Sequence, residues 1–174
     1  MILYIARHGE SLGNTGQDNG KDPELSATGI LQAELLGKRM QKIKLDCIMS
    51  STLKRAIKTA EETAKYQHCS IETNPMLVEF EDNETKETAY ARAEAAINEI
   101  KNRFRNDERV IIFAHGTFNN YLINATIGFP VRDNFNFCQE NTGLTCIKFL
   151  PEDRIKIEFS NDYCHLAQLG ETEY

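Results

Sequence analysis

Val110-Ile111-Ile112-Phe113-Ala114-His115-Gly116-Thr117 opens with five consecutive apolar residues and stops at a polar corner. A run this short, β-branched and aromatic, predicts a strand buried on both faces, with a helix to follow over Phe118–Ile127. Moving outward, Ile2–Ala6 repeats the pattern at the start of the chain and ends at Arg7-His8-Gly9. Between the two runs, Gly9–Glu24 reads as a loop rich in Gly, Asn and Asp. Ser26 is placed to cap a helix running to about Met40, with Ile30, Leu31, Leu35 and Leu36 on its inner face. Leu45–Met49 predicts a second strand. Ser51 or Thr52 would cap a helix burying Leu53, Ala56, Ile57 and Ala60. Ile71–Thr73 is a candidate third strand, and Thr88 to about Asn106 a long helix rich in Ala, Glu and Arg. Gly143–Leu150 and Arg154–Phe159 alternate about Pro151-Glu152-Asp153 and predict a hairpin. Strands alternating with helices predict an α/β chain, a three-layer αβα sandwich with a mostly parallel central sheet. Ligands of such sheets collect at the carboxyl ends of the strands.

The bulk composition narrows the function. A chain of 174 residues favours a single domain, 1–174, able to bury a core without disulfides or metal. Its formal charge of −6 and the lack of a Lys/Arg stripe argue against nucleic acid as a partner. No apolar run is long enough for a bilayer, and the N-terminal residues lack a basic leader, so a cytoplasmic protein is expected. The five cysteines are scattered and odd in number, which predicts reduced thiols and no zinc site.

His8 and His115 each stand at the end of a buried strand, and each is followed by glycine. Either alone reads as an ordinary strand-to-loop junction. Together they mark a pocket where glycine lets backbone approach a ligand and a following helix offers N–H groups to an anion. Arg7-His8-Gly9-Glu10-Ser11 with Asn14 resembles the R-H-G-E-x-x-x-N motif of the histidine phosphatase superfamily, which includes the cofactor-dependent phosphoglycerate mutases. Asp22–Ser26 with Gly29, Gln32 and Ala33 is similar to the stretch that follows in that family. Ser50–Ala56 with Thr59-Ala60 resembles its second-arginine motif. Ile111–Gly116 resembles the segment bearing the second histidine, and Asn141-Thr142-Gly143 a C-terminal strand entry. The likeness runs from residue 1 to about 166 and is weakest between 80 and 108.

The resemblance implies a phosphoglycerate mutase-like fold with a small cap around 79–106. It implies a metal-independent phosphatase, with no cofactor, that forms a phosphohistidine on His8. Arg7, Asn14, Arg55, His115 and Gly116 would then bind the phosphate, with His115 as an imidazolium stabilising the transferring group. The residue types suit this chemistry, because a phosphomonoester dianion repels a nucleophile until cations neutralise it, and guanidinium forks match phosphoryl oxygens. The leaving alkoxide needs a proton, for which Glu79 matches the family's acid, with Glu81 as the substitute. The family usually continues with a G-x-W-E-G-like segment, whereas this chain has no tryptophan.

The interval from Glu79 to His115 is short and acidic at its front, which favours hydrolysis over mutase-type transfer. A phosphoglycerate mutase-type phosphotransferase and a noncatalytic phosphate-ligand binder stay open as alternatives. The expected partner is a small-molecule phosphomonoester or a phosphoprotein, with no membrane. Lys21 and Arg92 read as surface residues, or as contacts for a substrate's distal group. Thr117 is a weaker phosphate contact than His115. His68 reads as a solvated residue after a helix, and His165 as a structural one that ties the tail to the sheet.

Overall fold

A computed structural model describes residues 1–170 apart from 82, 106, 131, 133 and 134. Strand β1 (Ile2–Arg7) leads through a long loop to helix α1 (Ala27–Met40), followed by β2 (Cys47–Ser50) and α2 (Lys54–Ala64). Then come β3 (Ile71–Thr73), α3 (Lys86–Arg103), β4 (Arg109–Ala114) and α4 (Gly116–Ile127). The hairpin of β5 (Leu144–Phe149) and β6 (Ile155–Asp162) completes the sheet. The strand order is β3-β2-β4-β1-β5-β6, and β5 alone runs against its neighbours.

Residues of period two sort the core into two layers. Leu3 and Ile5 of β1, with Val110, Ile112 and Ala114 of β4, pack against Ala93, Ile97 and Ile100 of α3 and Phe118 and Leu122 of α4. Tyr4, Ala6, Ile111 and Phe113 face the other way, onto Leu36 and Met40 of α1 and Ala60 of α2. Both central strands are thus buried on two faces, which is why they read as unbroken apolar runs. Each large side chain so buried contributes roughly 1.5–3 kcal/mol.

The helices differ from expectation in what they bury. Helix α1 turns Gly29, Gln32, Ala33, Leu36 and Gly37 inward, while Ile30 and Leu31 are 46% and 49% exposed. The reason is close packing: a Cβ on Gly37 would lie 2.5 Å from the Glu62 carbonyl oxygen of α2, so large residues cannot sit between these helices. The Ser26 hydroxyl caps α1 by accepting from Gly29 N–H, as expected. Helix α2 starts at Lys54 with no side-chain cap, and Ser51 and Thr52 lie before it. Its buried face includes Arg55, Thr59 and Thr63, with Ile57 only half-buried. Helix α3 begins at Lys86 rather than Thr88, because Thr85 and Thr88 form a reciprocal capping box. Of the expected cap segment 79–106, this helix belongs to the outer layer, Glu79 and Phe80 lie against α4, and residues 82 and 106 fall outside the described residues.

Candidate active site

Strands β1 and β4 are parallel neighbours with Arg7 opposite Ala114, so the residues that follow them, His8 and His115, emerge side by side. Their rings lie 5.2 Å apart between centroids. The backbone of His8 is fixed on both sides: its N–H donates to Ala114 O, and its carbonyl accepts from the Asn141 side chain and Thr142 N–H. Its Nδ1 lies 2.6 Å from Gly9 O, a contact that requires the proton on Nδ1 and leaves the Nε2 lone pair outward. Arg55 Nε, 3.2 Å away, donates to that lone pair. Burial lowers the His8 pKa to about 3, opposed by the Gly9 hydrogen bond and assisted by Arg55 and Arg7. The ring is therefore neutral near pH 7.

His115 occupies the N-cap position of α4, and its Nε2 meets Ser51 Oγ at 2.8 Å. Burial, then His8, Arg55, Arg7 and Arg92, hold its pKa well below the usual value. Burial and the surrounding cations thus work against a charge on His115 while the pocket holds no anion. The cations that surround it oppose a further positive charge unless an anion enters.

Arg7 donates through one terminal nitrogen to Gln139 O at 2.7 Å, and its Nε has no hydrogen-bond partner among the described residues. Arg55 Nη1 likewise makes no hydrogen bond, although Asp22 lies 3.8 Å away as an ion pair. Burial works against the positive charge of both guanidiniums, and the nearby Glu79 carboxylate supports it. Unpartnered buried donors carry a desolvation cost of about 1–3 kcal/mol each, and an anion would relieve it.

Glu79 Oε1 accepts two backbone N–H bonds, from Phe80 at 2.9 Å and from Phe118 in the first turn of α4 at 3.0 Å. Glu81, by contrast, is exposed. Asn14 is exposed too, and its Oδ1 accepts from Ser11 N–H and Oγ, with no hydrogen bond to Arg7, His8, Arg55 or His115. The glycines at both strand ends are also required by packing. A Cβ on Gly116 would lie 3.1 Å from Arg7 Nε, so Gly116 makes room for the guanidinium. A Cβ on Gly9 would meet the Gly29 carbonyl oxygen at 2.4 Å, so Gly9 admits the start of α1.

Four further residues contribute, three of them within the motifs quoted above and Gln139 outside them. Ser51, expected as a helix cap, instead meets His115. Thr59 accepts from Gly9 N–H, while Gln139 and Asn141 hold Arg7 and the His8 backbone. Lys21 and Thr117 are exposed. His165 bridges Arg39 and Thr142, consistent with a structural role, and His68 is exposed. Arg92 is neither a surface residue nor free, since its side chain is only 18% exposed and is paired with Glu84. No described helix is long and apolar enough to cross a membrane.

Comparison with known proteins bears on this arrangement. Phosphoserine phosphatase 1 of Hydrogenobacter thermophilus is 26% identical over 95% of this chain and 94% of its own length. Phosphoserine phosphatase of Entamoeba histolytica, solved with 3-phosphoglyceric acid, superposes with a TM-score of 0.81 at 19% identity, covering 95% and 98% of the two chains. A mycobacterial glucosyl-3-phosphoglycerate phosphatase solved with VO3 gives 0.79 at 20% identity, covering 92% and 98%. The two structures show the shared fold. The sequence profile of the histidine phosphatase superfamily (branch 1) matches residues 3–82 and 78–162, and the chain belongs to that family.

Proposed function

We propose that this chain, a phosphatase of the histidine type, hydrolyses phosphomonoesters by two successive transfers through His8. The observation that carries this reading is the His8 ring itself. Its tautomer is set by Gly9 O, and its Nε2 faces Arg55 beside unpartnered guanidinium nitrogens of Arg7 and Arg55. A phosphoryl group entering there gives those donors an anion, and the Arg55 Nε bond passes from the ring to a phosphoryl oxygen. His8 Nε2 then attacks phosphorus, the ester P–O bond breaks, and Glu79 delivers a proton to the leaving oxygen. Because Oε1 of Glu79 is occupied by two N–H donors, Oε2 is the atom that carries this proton. In the second transfer water attacks phosphorus and returns a proton to Glu79. The P–N bond breaks, inorganic phosphate leaves, and the lone pair returns to Nε2. Positioning and fixed positive charge account for most of the rate in such transfers.

Arg7 and Arg55 supply the neutralisation of the phosphoryl oxygens, so activity is expected to persist in EDTA. The 79–115 interval is mostly taken up by α3, whose apolar face is buried against the sheet. That leaves little of this interval to cover the pocket, which suits release of phosphate to water rather than its retention. The name of the Hydrogenobacter relative puts phosphoserine first among small substrates to try. The test is phosphate release from a panel of phosphomonoesters, phosphoserine included, with EDTA and with vanadate. Metal-independent turnover blocked by vanadate and abolished in His8→Ala is expected. Full activity of His8→Ala, or recovery only on adding a divalent metal, would overturn the reading.

A further inference from the structure

The connection that carries Glu79 is anchored in the core by Leu77, with Met76 and Phe80 packed against it, and one polar side chain ties its backbone from both ends. Arg92, in the second turn of α3, donates Nη1 to the carbonyls of Met76 at 2.7 Å and Val78 at 2.9 Å. Its Nε and Nη2 form a two-pronged pair with the Glu84 carboxylate at 2.8 and 2.6 Å. Both ends of the segment 76–84 are therefore tied to one guanidinium, with Glu79 between them. The same guanidinium lies 3.8 Å from the centroid of the Phe118 ring, and Phe118 N–H is one of the two donors that hold Glu79 Oε1. Arg92 and Glu84 are 18% and 14% exposed, so solvent screens the pair far less than the surface ion pairs elsewhere on the molecule.

We propose that Arg92 is a positioning residue for the proton donor: it clamps the 76–84 connection and the first turn of α4 together, and so fixes where the Glu79 carboxyl sits. The proposal rests on the reading of Glu79 as the acid. A lysine cannot reproduce the clamp, because an ammonium has no planar fork to span two carbonyls and a carboxylate while stacking on a ring. A slackened clamp lets the carboxyl drift, and a misplacement of about 1 Å costs up to about 10²-fold in rate. That loss falls only on substrates whose leaving group needs a proton.

The experiment measures kcat/KM for a series running from p-nitrophenyl phosphate to alkyl phosphates. It compares wild type, Arg92→Lys, Glu84→Gln, Glu79→Gln and the double variant Glu79→Gln/Arg92→Lys, each with a thermal melt. Glu84→Gln opens one side of the clamp and leaves the two carbonyl bonds in place, which keeps the test available if Arg92→Lys folds poorly. The expected result for Arg92→Lys is a loss of about tenfold or more on alkyl phosphates and under about twofold on the aryl ester, within the range for a displaced catalytic group. Glu84→Gln should show a smaller loss of the same kind, and Arg92→Lys should have no further effect once Glu79 is Gln. Equal losses across the series, or an undiminished Arg92→Lys effect in the Glu79→Gln background, would overturn the proposal and leave Arg92 a support of the fold. If Glu79→Gln itself shows no dependence on the leaving group, the acid assignment fails and the proposal falls with it. A dependence in Glu79→Gln that is absent from Arg92→Lys and Glu84→Gln removes the proposal alone.

Discussion

Arg55 meets three demands at one position. It is buried in the first turn of α2, it donates Nε to His8 Nε2, the proposed nucleophile, and its Nη1 has no hydrogen bond among the described residues and is free for the proposed phosphoryl group. Arg55→Lys keeps a charge but loses the fork. It is expected to lower kcat by about 10²–10³-fold, the scale for removing one fixed donor, with little change in the thermal melt. Steady-state kinetics beside a melt would check this, and a loss confined to KM would contradict it. Glu79→Gln is expected to slow alkyl phosphates by about 10²–10⁴-fold while aryl phosphates lose far less, read from the slope of rate on leaving-group pKa. Arg7, His8, Arg55 and His115 were legible in the sequence because each sits at a strand end or in a dense polar motif. Ser51 and Asn141 fall inside recognisable motifs, but their contacts, like that of Gln139, are not legible, because they act through a hydroxyl, an amide and a carbonyl whose partners lie 64, 133 and 132 positions away in the chain.

The elements meet at glycines, and two of these separate folding from chemistry. A Cβ on Gly29 would lie 1.9 Å from the Glu10 carbonyl oxygen, so Gly29→Ala forces α1 away from the loop that follows His8. A destabilisation of about 1–3 kcal/mol or more is expected, seen as a melting temperature lower by several degrees. A Cβ on Gly116 meets only the flexible end of Arg7, at 3.1 Å. Gly116→Ala should therefore weaken phosphate binding, raising the vanadate inhibition constant, with a melt close to wild type. The same close packing explains why the inner face of α1 was read wrongly: small residues define it, while Ile30 and Leu31 face outward. Hydrophobic spacing locates a helix well, but it misleads where backbones must touch. Strand positions fared better, since β1 and β4 are buried on both faces and leave an uninterrupted apolar signature.

Across the whole molecule, an acidic chain of net charge −6 gathers a buried arginine, Arg55, and the partly buried Arg7 around two buried histidines. This has a consequence for stability. Burial lowers His8 to about 3 and His165 to about 4 from an ordinary 6.5, and it pushes His115 in the same direction. Below pH 6.5 the unfolded chain takes up protons that the folded chain refuses, so stability is fully present above about pH 7 and declines as pH falls from 6.5 towards 3–4. Each histidine contributes a slope of up to about 1.4 kcal/mol per pH unit in that window. Urea titrations at pH 7.5 and pH 5 would reveal it, and equal stability at the two pH values would contradict it. The central claim, that phosphorus passes through His8 Nε2, is tested most directly by chemical quench. Wild type and His8→Ala are mixed briefly with a ³²P-labelled phosphomonoester that wild type turns over, and then denatured in alkali. An alkali-stable, acid-labile label is expected on wild type alone, mapping to the peptide that contains His8. Turnover with no such label, or equal labelling of His8→Ala, would contradict it.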